Sequence, residues 1–212
     1  MYKISDTCQI ANLNAILMEH FGYKTDGTFV EVGAYDGYSW SNTWGLAEAG
    51  WRGLLFEPLP ELAEACGRVH ATNNVKVFNC CAGEYCGHTT LWLDSNPTID
   101  KETMEKSPWG DKYNPENCVS APVVTLDYQL ATEEWPEDFD WLGIDVEGAE
   151  MQVLRGINLM RWRPTLLVVE THEENPDPRR SFHAAEILHY VSRLPYTKIQ
   201  VDGLNTIWKR NV

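Results

Sequence analysis

The sequence predicts an α/β fold, a parallel sheet with helices on its faces, and three observations predict it. Short apolar runs suited to strands alternate with stretches of helical periodicity, in the order helix, strand, helix, strand, helix, strand. Runs such as Gly53-Leu54-Leu55-Phe56 and Leu166-Leu167-Val168-Val169 are apolar enough to be buried on both faces, as parallel strands are. The carboxyl ends of these runs carry acids, and that edge is where open parallel sheets bind ligands.

Ser5 or Asp6 is placed to cap a first helix, with Ile10, Leu13, Leu17 and Phe21 on one face and Gly22 near its stop; residues 1–24 then form an N-terminal brace. Thr28 to Val32 makes the first strand, which enters the turn Gly33-Ala34-Tyr35-Asp36-Gly37. A helix from Trp44 to Ala49 ends at Gly50, and Arg52 to Phe56 forms a second strand closing on Glu57-Pro58. The next helix runs from Pro60 to Arg68, with proline in its first turn, and a third strand from Val75 to Cys81. Thr89 to Leu93 is strand-like. From Asp94 to Ala121 the pattern breaks into a long polar segment with isolated aromatics, Trp109 and Tyr113 among them, which suits a lid over a site. After a short helix near Leu126, Phe139 to Ile144 forms the fourth core strand and Ala149 to Met160 a helix. Pro164 to Val169 is the fifth strand, and a helix from about Ser181 to Arg193 follows. The last two strands, Tyr196 to Val201 and Thr206 to Lys209, join at the hairpin turn Asp202-Gly203. With no repeat or linker, residues 1–212 read as one domain.

Composition narrows the function. A formal net charge of −14 disfavours a nucleic-acid partner, whose binding draws on Lys and Arg at phosphates. No apolar run approaches the roughly 20 residues that span a bilayer, and Met1 to His20 lacks the layout of a signal peptide. The expectation is a soluble cytoplasmic protein without a membrane partner, of undetermined oligomeric state. Cys8, Cys66, Cys80, Cys81, Cys86 and Cys118 show no paired C-x-x-C spacing and read as reduced thiols.

The strand ends suggest the ligand. Glu31 stands just before Gly33, where a diphosphate would be repelled and a cationic ligand favoured; S-adenosylmethionine carries both an ammonium and a sulfonium. Glycine at the turn would let a ligand approach backbone N–H groups closely. Glu57, one strand later, is placed to accept both hydroxyl protons of a ribose. Asp145, Glu147, Glu150, Glu170 and His172 gather acids and one imidazole at the fourth and fifth strand ends, suited to proton abstraction by Asp145, His172 or Glu170. Asp145, Glu170 and His172 also form a set able to ligate a divalent metal, although no motif spacing demands one.

Taken together, Phe29-Val30-Glu31-Val32-Gly33-Ala34-Tyr35-Asp36-Gly37, Ser41-Asn42-Thr43, Gly50 to Pro58, Thr125-Leu126-Asp127 and Trp141 to Glu150 resemble the FkbM-type S-adenosylmethionine-dependent methyltransferases. The resemblance spans roughly Thr28 to His172. It implies a Rossmann-like seven-stranded, mostly parallel sheet with an antiparallel last strand. It also implies that Glu31 and Gly33 lie along the methionine part of the cofactor, Glu57 on the ribose, and Cys81 and Ala82 near the adenine. Ala34, Asp36, Ser41, Asn42, Pro58 and Asp145 are further cofactor-binding candidates. Family members are linked to O-methylation, so the expected acceptor is a hydroxyl of a small molecule such as a sugar. Gly143 departs from the Lys or Ser found in many relatives. Two rivals stay open: a cofactor-binding module without catalysis, and a nicotinamide-dependent oxidoreductase, which lacks its G-x-G-x-x-G pattern here.

Overall fold

A computed structural model describes residues 1–93, 97–102, 116–174 and 183–211. In chain order the elements are α1 (Leu13–Phe21), β1 (Thr28–Val32), α2 (Trp44–Glu48), β2 (Arg52–Phe56), α3 (Pro60–Val69), β3 (Val75–Phe78), β4 (Cys81–Ala82), β5 (Gly87–Trp92) and β6 (Cys118–Val124). They continue with α4 (Leu126–Thr132), β7 (Asp138–Ile144), α5 (Glu150–Arg155), β8 (Arg163–Glu170), α6 (Ala184–Val191), β9 (Tyr196–Val201) and β10 (Asn205–Arg210).

Seven strands form one sheet in the order β3-β2-β1-β7-β8-β10-β9. β3, β2, β1, β7 and β8 run parallel, and β10 is antiparallel to both β8 and β9. The central strands are apolar because they are covered twice. On one face Phe29, Leu55, Trp141, Leu166 and Ile207 pack under Leu13 and Leu17 of α1, Leu46 of α2 and Cys66 of α3. On the other, Val30, Leu54, Leu142, Leu167 and Trp208 pack against Leu126 and Leu130 of α4, Leu154 of α5 and Ile187 of α6. The hairpin turn closes as expected: Asp202 Oδ1 accepts from the N–H groups of Leu204 and Asn205 at 3.3 and 2.7 Å, and Gly203 takes φ +87°.

A second, three-stranded sheet, β4-β6-β5, was not foreseen. The expected third strand stops at Phe78 because Asn79 Nδ2 turns back onto the carbonyls of Glu57 and Pro58; Cys81 and Ala82 then pair with β6 instead. Residues 118–121, assigned to a lid, are strand paired along β5. Most of the remaining lid segment, with Trp109 and Tyr113, lies outside the described residues, as does the start of the helix expected from Ser181.

Two helices are shorter than expected. α1 begins at Leu13 without a side-chain cap, because residues 5–10 form an irregular strap held by side-chain bonds to the loop before α2. α5 stops at Arg155: a Cβ on Gly156 would lie 2.0 Å from the carbonyl oxygen of Gly83, and Asp127 then takes the N–H of Asn158 at 2.8 Å. No helix among the described residues is long and apolar enough to cross a membrane.

Gly33 locks the binding edge. Its φ is +89°, and a Cβ there would sit 1.7 Å from the backbone carbonyl oxygen of Asp145, so the ends of β1 and β7 meet only over a glycine. Gly33→Ala should therefore destabilise the fold by more than about 2 kcal/mol, through both backbone strain and the clash. The measurement is the urea midpoint against wild type.

Candidate functional site

A cleft of about 460 Å³ opens at the carboxyl ends of β2, β1 and β7. Glu31, Gly33, Ala34, Ser41, Asn42, Glu57, Pro58, Cys81, Ala82 and Asp145 all line it, so the structure brings together most of the residues singled out from sequence. Asp36, Glu170 and His172 do not line it.

Glu31 is 8% exposed, in register with Gly143 of β7 and Leu55 of β2. Its Oε2 accepts a bond from Ser41 Oγ at 3.3 Å and another from Thr43 Oγ1. The same Ser41 oxygen accepts the N–H groups of Thr43 and Trp44 at the start of α2, so one serine supports both helix and carboxylate. Burial pushes the Glu31 carboxyl up to about 7, against the hydrogen bonds, which pull it down. No lysine, arginine or histidine lines the cleft among the described residues.

Glu57 is 5% exposed and spans the first turns of two loops: Oε2 accepts from Tyr35 N–H at 3.0 Å and Oε1 from Leu59 N–H at 2.8 Å. Burial raises it too, to about 7. Each oxygen retains a lone pair for a ligand hydroxyl. Beyond it, Leu62, Cys80, Cys81, Ala82, Leu91 and Ile99 give one end of the cleft an apolar wall. Burial holds the Cys80 and Cys81 thiols neutral, at about 11 and 12.

The glycine turn does not work as the sequence suggested. The N–H groups of Gly33 and Ala34 both donate to the Phe56 carbonyl at 3.0 Å, and that of Gly37 donates to the Ala34 carbonyl. The N–H groups of Gly33, Ala34 and Gly37 are thus spent within the protein, and the carboxylates on the cleft come from the strand ends at Glu31 and Glu57. Asp36 serves the turn itself, accepting from Tyr38 N, Ser39 N and Ser39 Oγ at 2.9, 2.7 and 2.7 Å. Burial opposes ionisation there, but these bonds together hold its carboxyl below the usual range.

At the other end, Asp145 Oδ2 accepts from Gln9 Nε2 at 2.7 Å. Oxygens of Asp145, Glu150 and Glu170 all lie within 4.8 Å of one another. Three carboxylates this close cannot all be ionised. Burial, then the charges of Asp145, Glu147 and Glu150, raise Glu170 well above its usual value, and its bond to Asp145 needs the proton on Glu170. Glu150 is pushed up to about 7 by burial while accepting the N–H groups of Val146 and Gly148 at 3.1 and 2.9 Å. Hard oxygen ligands in this number suit a divalent cation as well as a shared proton. The converging set contains Glu150 where the sequence reading had His172, whose Nε2 lies 3.1 Å from Glu170 Oε1.

Sequence reasoning missed Gln9 and Asn205. Gln9 Oε1 accepts from Asn42 Nδ2 at 3.1 Å and Asn205 Nδ2 at 3.4 Å, so one side chain joins the N-terminal strap, the loop before α2, β10 and Asp145. It also missed the aromatics at the mouth. Five non-glycine residues described here have left-handed backbone; three of them, Tyr35, Trp40 and Glu147, line the cleft, and His172 follows β8. Such strain concentrates at functional sites.

The family profile "Methyltransferase FkbM domain" matches residues 31–197, and the chain belongs to this family. No curated protein matches the chain in sequence at a significant level. Among solved structures, the O-methyltransferase from Bacillus cereus in complex with SAH is similar at 16% identity, covering 100% of this chain and 83% of that one, with a TM-score of 0.53. A putative O-methyltransferase from Klebsiella pneumoniae is similar at 14% identity, covering 99% and 84%, with a TM-score of 0.55. The O-methyltransferase TomG from Streptomyces achromogenes, involved in tomaymycin synthesis and in complex with SAM, gives 14%, 98%, 83% and 0.54. At these identities the likeness is one of fold: the Rossmann-like methyltransferase sheet.

The raised carboxyls give stability a pH dependence. Glu31, Glu57 and Glu150 bind protons more tightly folded than unfolded. Their favourable contribution is complete below about pH 4.5 and is lost as pH rises through about 7. The melting temperature of the ligand-free protein should fall across that window. Glu31→Gln, which removes one buried charge, should flatten the slope and raise the melting temperature at pH 8.

Proposed function

We propose that this protein transfers the methyl group of S-adenosylmethionine to a hydroxyl of a small molecule, a sugar being the first candidate. The carrying observation is the arrangement of Glu31, Glu57 and Asp145 at the ends of three adjacent strands around one cleft. The donor set fits the cofactor. Glu31, a buried carboxylate without a cationic partner among the lining residues, suits a positively charged methionine end. Glu57 suits a ribose diol, and the apolar wall at Cys80 to Ala82 suits adenine. The cleft volume is in the range of small-molecule sites. Two of the fold neighbours are themselves complexes with SAH and SAM. The engaged N–H groups of Gly33 and Ala34 speak against a diphosphate cofactor such as a nicotinamide dinucleotide.

S-adenosylmethionine supplies a methyl group already activated on a sulfonium. The chain's share is then mainly alignment. Asp145 is the cleft-facing acid of the three catalytic candidates, and would accept the acceptor's hydroxyl proton as the O–C bond forms and the methyl C–S bond breaks, with the neutral thioether of S-adenosylhomocysteine as leaving group. Gln9 and the protonated Glu170 each bond to it and fix its orientation. Glu170 and His172 stand behind it as positioning residues. Pro97, Thr98 and Ile99, from the segment the sequence offered as a lid, contribute to the cleft wall.

Calorimetric titration tests the cofactor. The wild type should bind S-adenosylmethionine, and Glu31→Gln should weaken that binding by about 1 kcal/mol or more, the size of a lost charge-assisted contact. Binding of neither S-adenosylmethionine nor S-adenosylhomocysteine refutes the reading. For the chemistry, Asp145→Asn should lower turnover by roughly 100-fold or more while leaving cofactor affinity within a few-fold. Undiminished turnover would remove Asp145 from its role.

A further inference from the structure

We propose that Trp40 is the platform on which the methyl acceptor stacks, and that the acceptor is therefore a ring with an apolar face, either a pyranose or an aromatic. This rests on the methyl-transfer reading and adds the shape of the substrate to it.

The indole of Trp40 is out of place for a structural tryptophan. Trp51, Trp141 and Trp162 are fully buried, whereas Trp40 is 60% exposed and lines the cleft. Among the described residues its ring packs against no other ring. Its backbone is left-handed, φ +62°, a conformation that bulky side chains avoid.

The surroundings impose that conformation. On one side, the N–H of Trp40 donates to Thr7 Oγ1 at 2.9 Å, and Tyr38 Oη bonds Asp6 at 3.1 Å, tying the loop to the N-terminal strap. On the other, Asp36 holds Tyr38 and Ser39, and the Tyr38 ring stands edge-on to Trp44 at 5.1 Å. These bonds fix the backbone from which the indole projects, so the position of a stacking surface is set by the fold.

Position assigns the indole to the acceptor. Tyr35, the other exposed aromatic with left-handed backbone on the cleft wall, bonds through its N–H to Glu57, at the proposed ribose end. Trp40 directly precedes Ser41 and Asn42. Ser41 bonds Glu31, and Asn42 reaches Asp145 through Gln9. Trp40 thus lines the same cleft as Asp145 and sits in the chain directly beside the residues that serve Glu31 and, through Gln9, Asp145. A flat indole gains most from a flat partner, by stacking on an aromatic or by covering the C–H face of a pyranose.

The test is saturation-transfer NMR on protein loaded with S-adenosylhomocysteine, using methyl β-glucopyranoside, catechol and the acyclic polyol sorbitol as probes. At least one ring should bind and sorbitol should not; the ring that binds identifies the sugar or the aromatic source. Trp40→Ala should weaken that ring about tenfold, the scale of one lost aromatic contact, and Trp40→Phe should retain most of it. Cofactor affinity by calorimetry and melting temperature should be unchanged in both variants. Binding of neither ring, equal binding of sorbitol, or an unaltered ring affinity in Trp40→Ala would overturn the proposal. The same arms without cofactor keep the two readings apart: Trp40-dependent ring binding by a protein that ignores S-adenosylhomocysteine refutes methyl transfer and leaves the platform standing.

Discussion

The burial of the Glu31 carboxyl is the interaction on which the rest of the cleft depends. β1 is apolar at Phe29, Val30 and Val32 and is covered on both faces, so an acid at Glu31 is held where water solvates its charge poorly. The chain answers with two hydroxyls, from Ser41 and Thr43, and the backbone N–H of Asn42, and none of them brings a full positive charge. Such a group is unfavourable for folding and favourable for binding a cation. A site of this kind trades stability of the free protein for affinity.

The other features serve that position. Gly33 lets β1 and β7 close until the carbonyl of Asp145 occupies the space of a side chain, and this brings Asp145 to the same end of the cleft as Glu31. Phe56 uses its carbonyl to take both N–H groups after β1, so the turn is satisfied internally. Glu57 and Asp145 then flank Glu31 from the neighbouring strands. Behind Asp145, close packing of acids is made tolerable by a proton on Glu170, and the buried cluster adds no further full charge there. The N-terminal strap supplies the last part: Gln9 gives Asp145 a neutral donor from a segment outside the residues matched by the family profile.

Much of this was legible in the sequence where a local pattern carries the information. The doubly covered strands announce themselves through runs such as Leu54-Leu55-Phe56 and Leu166 to Val169, and Asp202-Gly203 fixes the final hairpin. The acids at strand ends could be read because the strands place them. The second sheet was hidden: β4 has only two residues, β6 contains Pro122, and its partner β5 is separated from it by a long polar stretch. Gln9 and Asp145 are far apart in the chain, and no spacing rule joins them. Trp40 was hidden too, because a left-handed backbone at a tryptophan follows from its tertiary bond to Thr7 and not from its neighbours in sequence. Gly33 has a requirement that no local pattern shows: a neighbouring carbonyl occupies the place of its Cβ.

The account stands or falls on the protonation of one side chain. Carboxyl 13C NMR of protein labelled at glutamate, with Glu31 assigned by comparison with Glu31→Gln, measures it directly. In the free protein the Glu31 resonance should titrate near pH 7, and with S-adenosylmethionine bound its midpoint should fall well below that value. A midpoint in the ordinary carboxylate range in the free protein, or one that binding leaves unmoved, would contradict the claim that a buried acid awaiting a cation organises this site.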